Sequence, residues 1–173
     1  MFDLADAKFQ DFLKNGSFIR ENGIRVRLVG NIQLLRPSTL QIAQQLMWET
    51  RHGSNVTLNI ACPYTSEQEM ENAALDLQKA LQDGQLFPID ISQHLMDQCM
   101  YTQDDAPLDL LVRTSGEVRL SNFMLWQVSR DAYVHFVDVM WPEFTFWHML
   151  PILLCFQCNS LFLEVCCLFH GWN

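Results

Sequence analysis

Apolar positions along this chain alternate between two spacings, and the switches between them mark out its elements. In residues 2–14, Phe2, Ala5, Phe9, Phe12 and Leu13 share one stripe, which predicts a helix. Asn22-Gly23 breaks that pattern, and Ile24, Val26 and Leu28 then alternate with Arg25 and Arg27 as in a strand. Pro37-Ser38 opens a second helix with Leu40, Ala43, Leu46 and Met47 inward and Gly53 closing it. Val56 to Cys62 reads as a second strand. Ser66 with Glu69 fits a capping box, heading a third helix that Met70, Ala74, Leu77 and Leu81 continue to Gly84. A short helix is predicted over Ser92–Cys99. A third strand ends at Arg113, a short helix spans about Phe123–Val128, and a fourth strand covers Tyr133–Val137. Strands alternating with helices predict an α/β fold, a parallel sheet flanked by helices, as one domain without internal repeats.

The chemistry concentrates in Asp109-Leu-Leu-Val-Arg-Thr-Ser-Gly-Glu-Val-Arg-Leu-Ser-Asn122. An apolar run, Leu108 to Val112, stops at Arg113, and the small residues Thr114, Ser115 and Gly116 follow. A buried parallel strand delivers its C-terminal end to the sheet rim, where open α/β folds bind ligands. Two forked guanidiniums (Arg113, Arg119), nearby hydroxyls (Ser115, Ser121) and a glycine that lets backbone N–H groups converge (Gly116) form a natural diphosphate receptor. The competing reading is a strand end whose arginines neutralise neighbouring acids. Glu117, acidic beside such a site, is expected to orient an arginine rather than touch phosphate.

Bulk properties narrow the class. The 173 residues are 49% hydrophobic and 18% charged, which is globular composition. A formal net charge of -9 argues against a nucleic-acid partner, because phosphate backbones are bound by basic surfaces. Two arginines can still create a local anion site on an acidic protein. The start, Met1-Phe-Asp-Leu-Ala-Asp, has no cationic n-region and no long apolar run, so no secretory signal is visible. Of the 6 cysteines, Cys62 and Cys99 lie on apolar faces and read as reduced core residues.

The run Asp109 to Gln127, followed by Trp141-Pro-Glu-Phe-Thr-Phe-Trp147, resembles the C-terminal signature of the cis-prenyltransferases, nearest the eukaryotic dehydrodolichyl diphosphate synthase branch. Supporting matches are Ile24-Arg-Val-Arg-Leu-Val-Gly30, Leu58-Asn-Ile-Ala61 with Tyr64-Thr-Ser66, and Asp90-Ile-Ser92 leading to Tyr101-Thr102. The resemblance implies transfer of isopentenyl diphosphate units to an allylic diphosphate such as farnesyl diphosphate, making polyprenyl diphosphate for dolichol synthesis. It implies that Arg113, Arg119 and Ser121 bind isopentenyl diphosphate, with Ser115 and Gly116 in the same loop. Magnesium is the implied cofactor, with Asp131 as the candidate ligand. The implied partners are a Nogo-B-receptor-like subunit or a second copy, with peripheral attachment to the cytosolic face of the endoplasmic reticulum membrane. Two departures stand out: Glu67 follows Tyr64-Thr-Ser66 where many relatives carry arginine, and no glutamate stands shortly after Leu125-Trp-Gln127.

The resemblance also predicts an opening strand with an aspartate and a His-Gly-Asn-Arg-Arg-like loop for the primer. The His-Gly pairs present are His52-Gly53 and His170-Gly171, so an N-terminally truncated family domain over residues 1–150 is expected, lacking the first strand–helix unit. Such a chain would be either part of an enzyme or a catalytically inactive form docking on a partner synthase. Residues 151–173 read as a divergent, apolar, Cys-rich tail. A zinc site from Cys155, Cys158, Cys166, Cys167 and His170, and a membrane segment from Ile152 to Phe169 interrupted by Gln157, Asn159 and Glu164, are the alternatives there.

Overall fold

The computed structural model describes residues 9–12 and 16–170, with side chains described up to residue 159. Of the helix predicted over residues 2–14, residues 9–12 are helical and the others lie outside the described residues. The elements that follow are α1 (Gly16–Glu21), β1 (Ile24–Val29), α2 (Pro37–Thr50), β2 (Val56–Ala61), α3 (Ser66–Gln82), α4 (Gln93–Asp97), β3 (Leu110–Arg113), α5 (Leu125–Val128), β4 (Tyr133–Phe136) and α6 (Phe146–His170). Short 3-10 turns lie at Ile32–Leu34, Pro88–Asp90 and Trp141–Glu143.

Pairing is parallel throughout, as the alternation of strands and helices predicts. The strands nevertheless form two separate pairs, β1–β2 and β3–β4, instead of one sheet. The chain falls into two compact units, residues 1–105 and 106–173. Polarity patterns report which face of a strand is buried; they do not report which strand lies beside it.

In the first unit β1 runs beside β2 with Ile24 opposite Val56 and Val29 opposite Ala61. Val26 and Val29 are buried, and Phe9, Ile19, Val26, Ala43 and Leu46 form the core. The backbone N–H groups of Val26 and Leu28 are taken by α2 side chains, the Thr50 hydroxyl at 3.0 Å and the Met47 sulfur at 3.3 Å. Helix α2 therefore satisfies donors of β1 that β2 leaves unpaired.

Helix α3 departs from expectation at its cap. Thr65, not Ser66, is its N-cap, accepting from the Gln68 N–H at 3.3 Å. Its buried stripe is Ser66, Glu69, Ala73 and Leu77. The stripe carries a carboxylate inward, and that carboxylate is fully satisfied: Glu69 accepts from the Tyr101 N–H at 2.9 Å and from the Tyr64 hydroxyl. Asn72 donates to the Tyr101 hydroxyl, and Arg27 on β1 donates to the Tyr101 carbonyl at 3.3 Å. Asp105 closes the network, bonded to Arg27 at 2.9 Å and to Asn59, its register neighbour on β2, at 2.8 Å.

In the second unit β3 lies parallel to β4 with Leu110 opposite Tyr133 and Arg113 opposite Phe136. Leu111 and Ile152 are buried. Helix α6 continues unbroken across residue 150, where the tail is predicted to begin, and carries Pro151 within it. Among the described residues no helix is long and apolar enough to cross a membrane. Cys155 and Cys158 are exposed, and Cys166, Cys167 and His170, the other members of the zinc reading, lie outside the residues whose side chains are described.

Candidate functional site

Strand β3 ends at Arg113, and the chain turns at once. Ser115 and Gly116 take left-handed backbone angles, φ 71 and φ 70. The turn is sewn to the segment leaving β4: the Ser115 N–H donates to Val139 O at 2.8 Å, the Gly116 N–H to Val137 O at 3.0 Å, and the Val137 N–H to Arg113 O at 2.8 Å. The N–H groups of Ser115 and Gly116 are therefore turned to backbone carbonyls. Both of these donors serve the backbone, and an anion at this loop would also call on side-chain cations.

That chemistry is present. Arg113 is half-buried and lines a cleft of about 160 Å³ with Leu111, Val112, Leu120 and Phe123. Its guanidinium has no hydrogen-bond or ion-pair partner among the described residues. Arg119 is exposed and held: its Nε donates to the Ser121 hydroxyl at 3.2 Å, and it pairs with Glu117. Glu117 thus orients an arginine, as expected. The Ser115 hydroxyl lies 3.5 Å from that of Thr114. Arg113 and the 119–123 segment meet at the cleft, since Leu120 and Phe123 form its wall.

The backbone around these groups is strained. Ser121, Asn122 and Met124 all carry positive φ without being glycine (49, 60 and 49). Each such residue costs roughly 1–2 kcal/mol, and clusters of them persist where the fold serves a site.

Asp131 does not join the others. It is exposed on the turn that enters β4, and Tyr133 at the start of β4 is level with Leu110 at the start of β3. Arg113 is at the far end of the same pair, three residues or roughly 10 Å further along. Asp131 therefore stands at the wrong edge to share a ligand with Arg113, and the described residues do not fit a resident magnesium there. Besides Glu117, a carboxylate that stands at the loop is Asp138, whose Oδ1 would lie 3.7 Å from a Cβ placed on Gly116. Sequence reading passed over Asp138, whose only visible signal is the phase of β4.

Comparison with known proteins identifies the family and the fold. Residues 1–161 match the prenyltransferase family model of undecaprenyl diphosphate synthase. The chain is 35% identical over 160 residues to a dehydrodolichyl diphosphate synthase complex subunit of Schizosaccharomyces pombe, covering 92% of this chain and 61% of that one. It is 37% identical over 164 residues to the corresponding human subunit, covering 95% and 49%. Among solved structures, lavandulyl diphosphate synthase from Lavandula x intermedia, in complex with dimethylallyl diphosphate, superposes with a TM-score of 0.81 at 23% identity, over 88% of this chain and 66% of that one. A probable undecaprenyl diphosphate synthase from Campylobacter jejuni gives 0.74 at 25%, over 90% and 69%. A parallel α/β chain with an arginine-lined rim and these matches belongs to the cis-prenyltransferase family, a family of transferases. Of the dehydrodolichyl diphosphate synthase subunits it resembles, it spans about half to three-fifths of the length.

Proposed function

We propose that this chain carries the isopentenyl diphosphate site of a dehydrodolichyl diphosphate synthase-like enzyme, which extends an allylic diphosphate to a polyprenyl diphosphate for dolichol synthesis. One observation carries the reading: Arg113 is half-buried, lacks an anionic partner among the described residues, and borders an apolar cleft. A half-buried cation gives up part of its hydration, so an anion that arrives from solvent can complete its pairing. The cleft gives that anion a hydrocarbon neighbour. A diphosphate head on Arg113, with Arg119 held alongside by Glu117 and Ser121, places a short alkenyl tail against Leu111, Leu120 and Phe123.

In the reaction, a bond forms between the isopentenyl terminal carbon and C1 of the allylic partner, the allylic C–O bond breaks, and one proton leaves. The residues of this chain bind and orient the isopentenyl half, keep water from its double bond and hold its charge fixed. Magnesium, by family resemblance, would neutralise diphosphate charge, and the described residues assign it no holder. A second reading, a subunit that docks on a partner synthase, has its own support in the exposed Met140, Trp141, Phe146 and Trp147 of the second unit. Under either reading the partner is a Nogo-B-receptor-like subunit or a second copy, at the cytosolic face of the endoplasmic reticulum.

The test is isopentenyl diphosphate binding by calorimetry. Arg113→Ala and Arg119→Ala should each weaken it more than about tenfold, since a charge-assisted bond contributes roughly 1.5–3 kcal/mol. Unchanged affinity in both variants overturns the assignment. Incorporation of radiolabelled isopentenyl diphosphate, with and without a partner subunit, separates the enzymatic reading from the docking one.

A further inference from the structure

Helix α6 opens on the return half of a capping box, with a histidine where a carboxylate or amide usually stands. We propose that this residue, His148, is a proton-sensitive clamp on the aromatic turn that begins the helix. The first N–H groups of a helix lack partners within it, and the residue before it helps to supply them. Thr145 directly precedes Phe146, and its carbonyl accepts the first helical bonds, from the His148 N–H at 3.1 Å and the Met149 N–H at 3.2 Å. The return contact comes from the side chain three residues on. The Thr145 N–H donates to His148 Nδ1 at 3.0 Å, and the Thr145 hydroxyl lies 3.0 Å from the same nitrogen. Glu or Gln fills that place in an ordinary capping box.

The exchange of residue type changes the chemistry. A backbone N–H can only donate, so Nδ1 offers a lone pair here and the ring proton belongs on Nε2. Protonating Nδ1 removes the acceptor, sets two N–H groups against each other, and puts positive charge at the helix end where the dipole is already positive. The described contacts of the imidazole are Thr145 and Phe144, whose ring stacks on it at 5.9 Å, and neither titrates. Glu143, exposed in the preceding 3-10 turn, is the carboxylate nearest along the chain. Among the described residues no carboxylate pairs with His148 to hold the charged ring in place. Phe146 and Trp147, both exposed and in edge contact at 5.7 Å, ride on the clamped turn. Histidines change charge between about pH 5 and 8, so the turn is closed at the upper end of that range and open at the lower.

The experiment is hydrogen exchange of the Thr145 amide, read by NMR on the whole chain at about pH 7.5 and about pH 5.5 and corrected for intrinsic exchange. The ring nitrogen shifts of His148 are recorded alongside. Protection should fall about three- to tenfold on acidification, the size of one lost cap contact. His148→Gln, whose amide oxygen accepts at either pH, should hold its protection within about twofold. His148→Ala should be as weakly protected at the higher pH as the wild type is at the lower. Equal wild-type protection at both pH values overturns the proposal, as does a fall in His148→Gln that matches the wild type. The ring shifts decide without any variant: at the higher pH they should show Nδ1 bare and Nε2 protonated, and a proton on Nδ1 there overturns the clamp.

Discussion

Arg113 and Arg119 share a residue type and a motif, yet their surroundings separate their roles. Arg119 has a carboxylate and a hydroxyl within its own loop and is exposed, so it is pre-oriented at little desolvation cost. Arg113 gains no such partner among the described residues and is the group whose pairing a ligand would complete. The motif made both legible as candidates. It could not show that the Ser115 and Gly116 amides are consumed, because their acceptors lie more than 20 residues downstream. The thiols show the same dependence on surroundings. Burial pushes the Cys62 thiol above its ordinary value of 9.0, and burial with the neighbouring Asp76 charge does so for Cys99. A thiol whose folded pKa is raised is neutral in both states below the unfolded value. Above it, the unfolded chain ionises first and the fold loses stability. The urea midpoint should therefore fall as pH climbs past about 9, and Cys62→Ala should make that fall shallower; identical slopes would exclude the Cys62 contribution.

At the level of elements, hydrophobic period located the helices and strands well, because each is a local response to burial on one side. It did not give the facing of α3, where Glu69 takes an inward position. The omission has a physical source: a carboxylate is costly inside unless its oxygens are satisfied, and here the donors come from Tyr101 and Tyr64, one of them 32 residues away. Turn positions are as demanding. Gly30 follows β1 with φ +135, and a Cβ there would sit 2.0 Å from Pro63 O. Gly30→Ala should destabilise the first unit by more than about 3 kcal/mol, since backbone on both sides must move. Urea denaturation checks this, and a change under 1 kcal/mol would mean that the β1 and β2 exits separate freely.

For the whole molecule, two parallel pairs in two units suggest unfolding in more than one step. Tryptophan reports on them unequally: Trp48 is in the first unit, whereas Trp126, Trp141 and Trp147 are in the second. Fluorescence should therefore follow the second unit, while far-UV dichroism weighs α2 and α3 of the first. The two thermal midpoints should differ, and coincident curves would instead establish a single cooperative domain. The amino-acid sequence by itself determined the element types, the parallel α/β class and the arginine-bearing rim, because periodicity, turn residues and a short contiguous motif are local properties. The tertiary structure alone decided which strands pair, that Glu69 is buried, that the Ser115 and Gly116 amides bond backbone carbonyls, and that Asp138 rather than Asp131 stands beside the loop. Those outcomes depend on the distance between groups far apart in the chain, and no local pattern encodes such a distance.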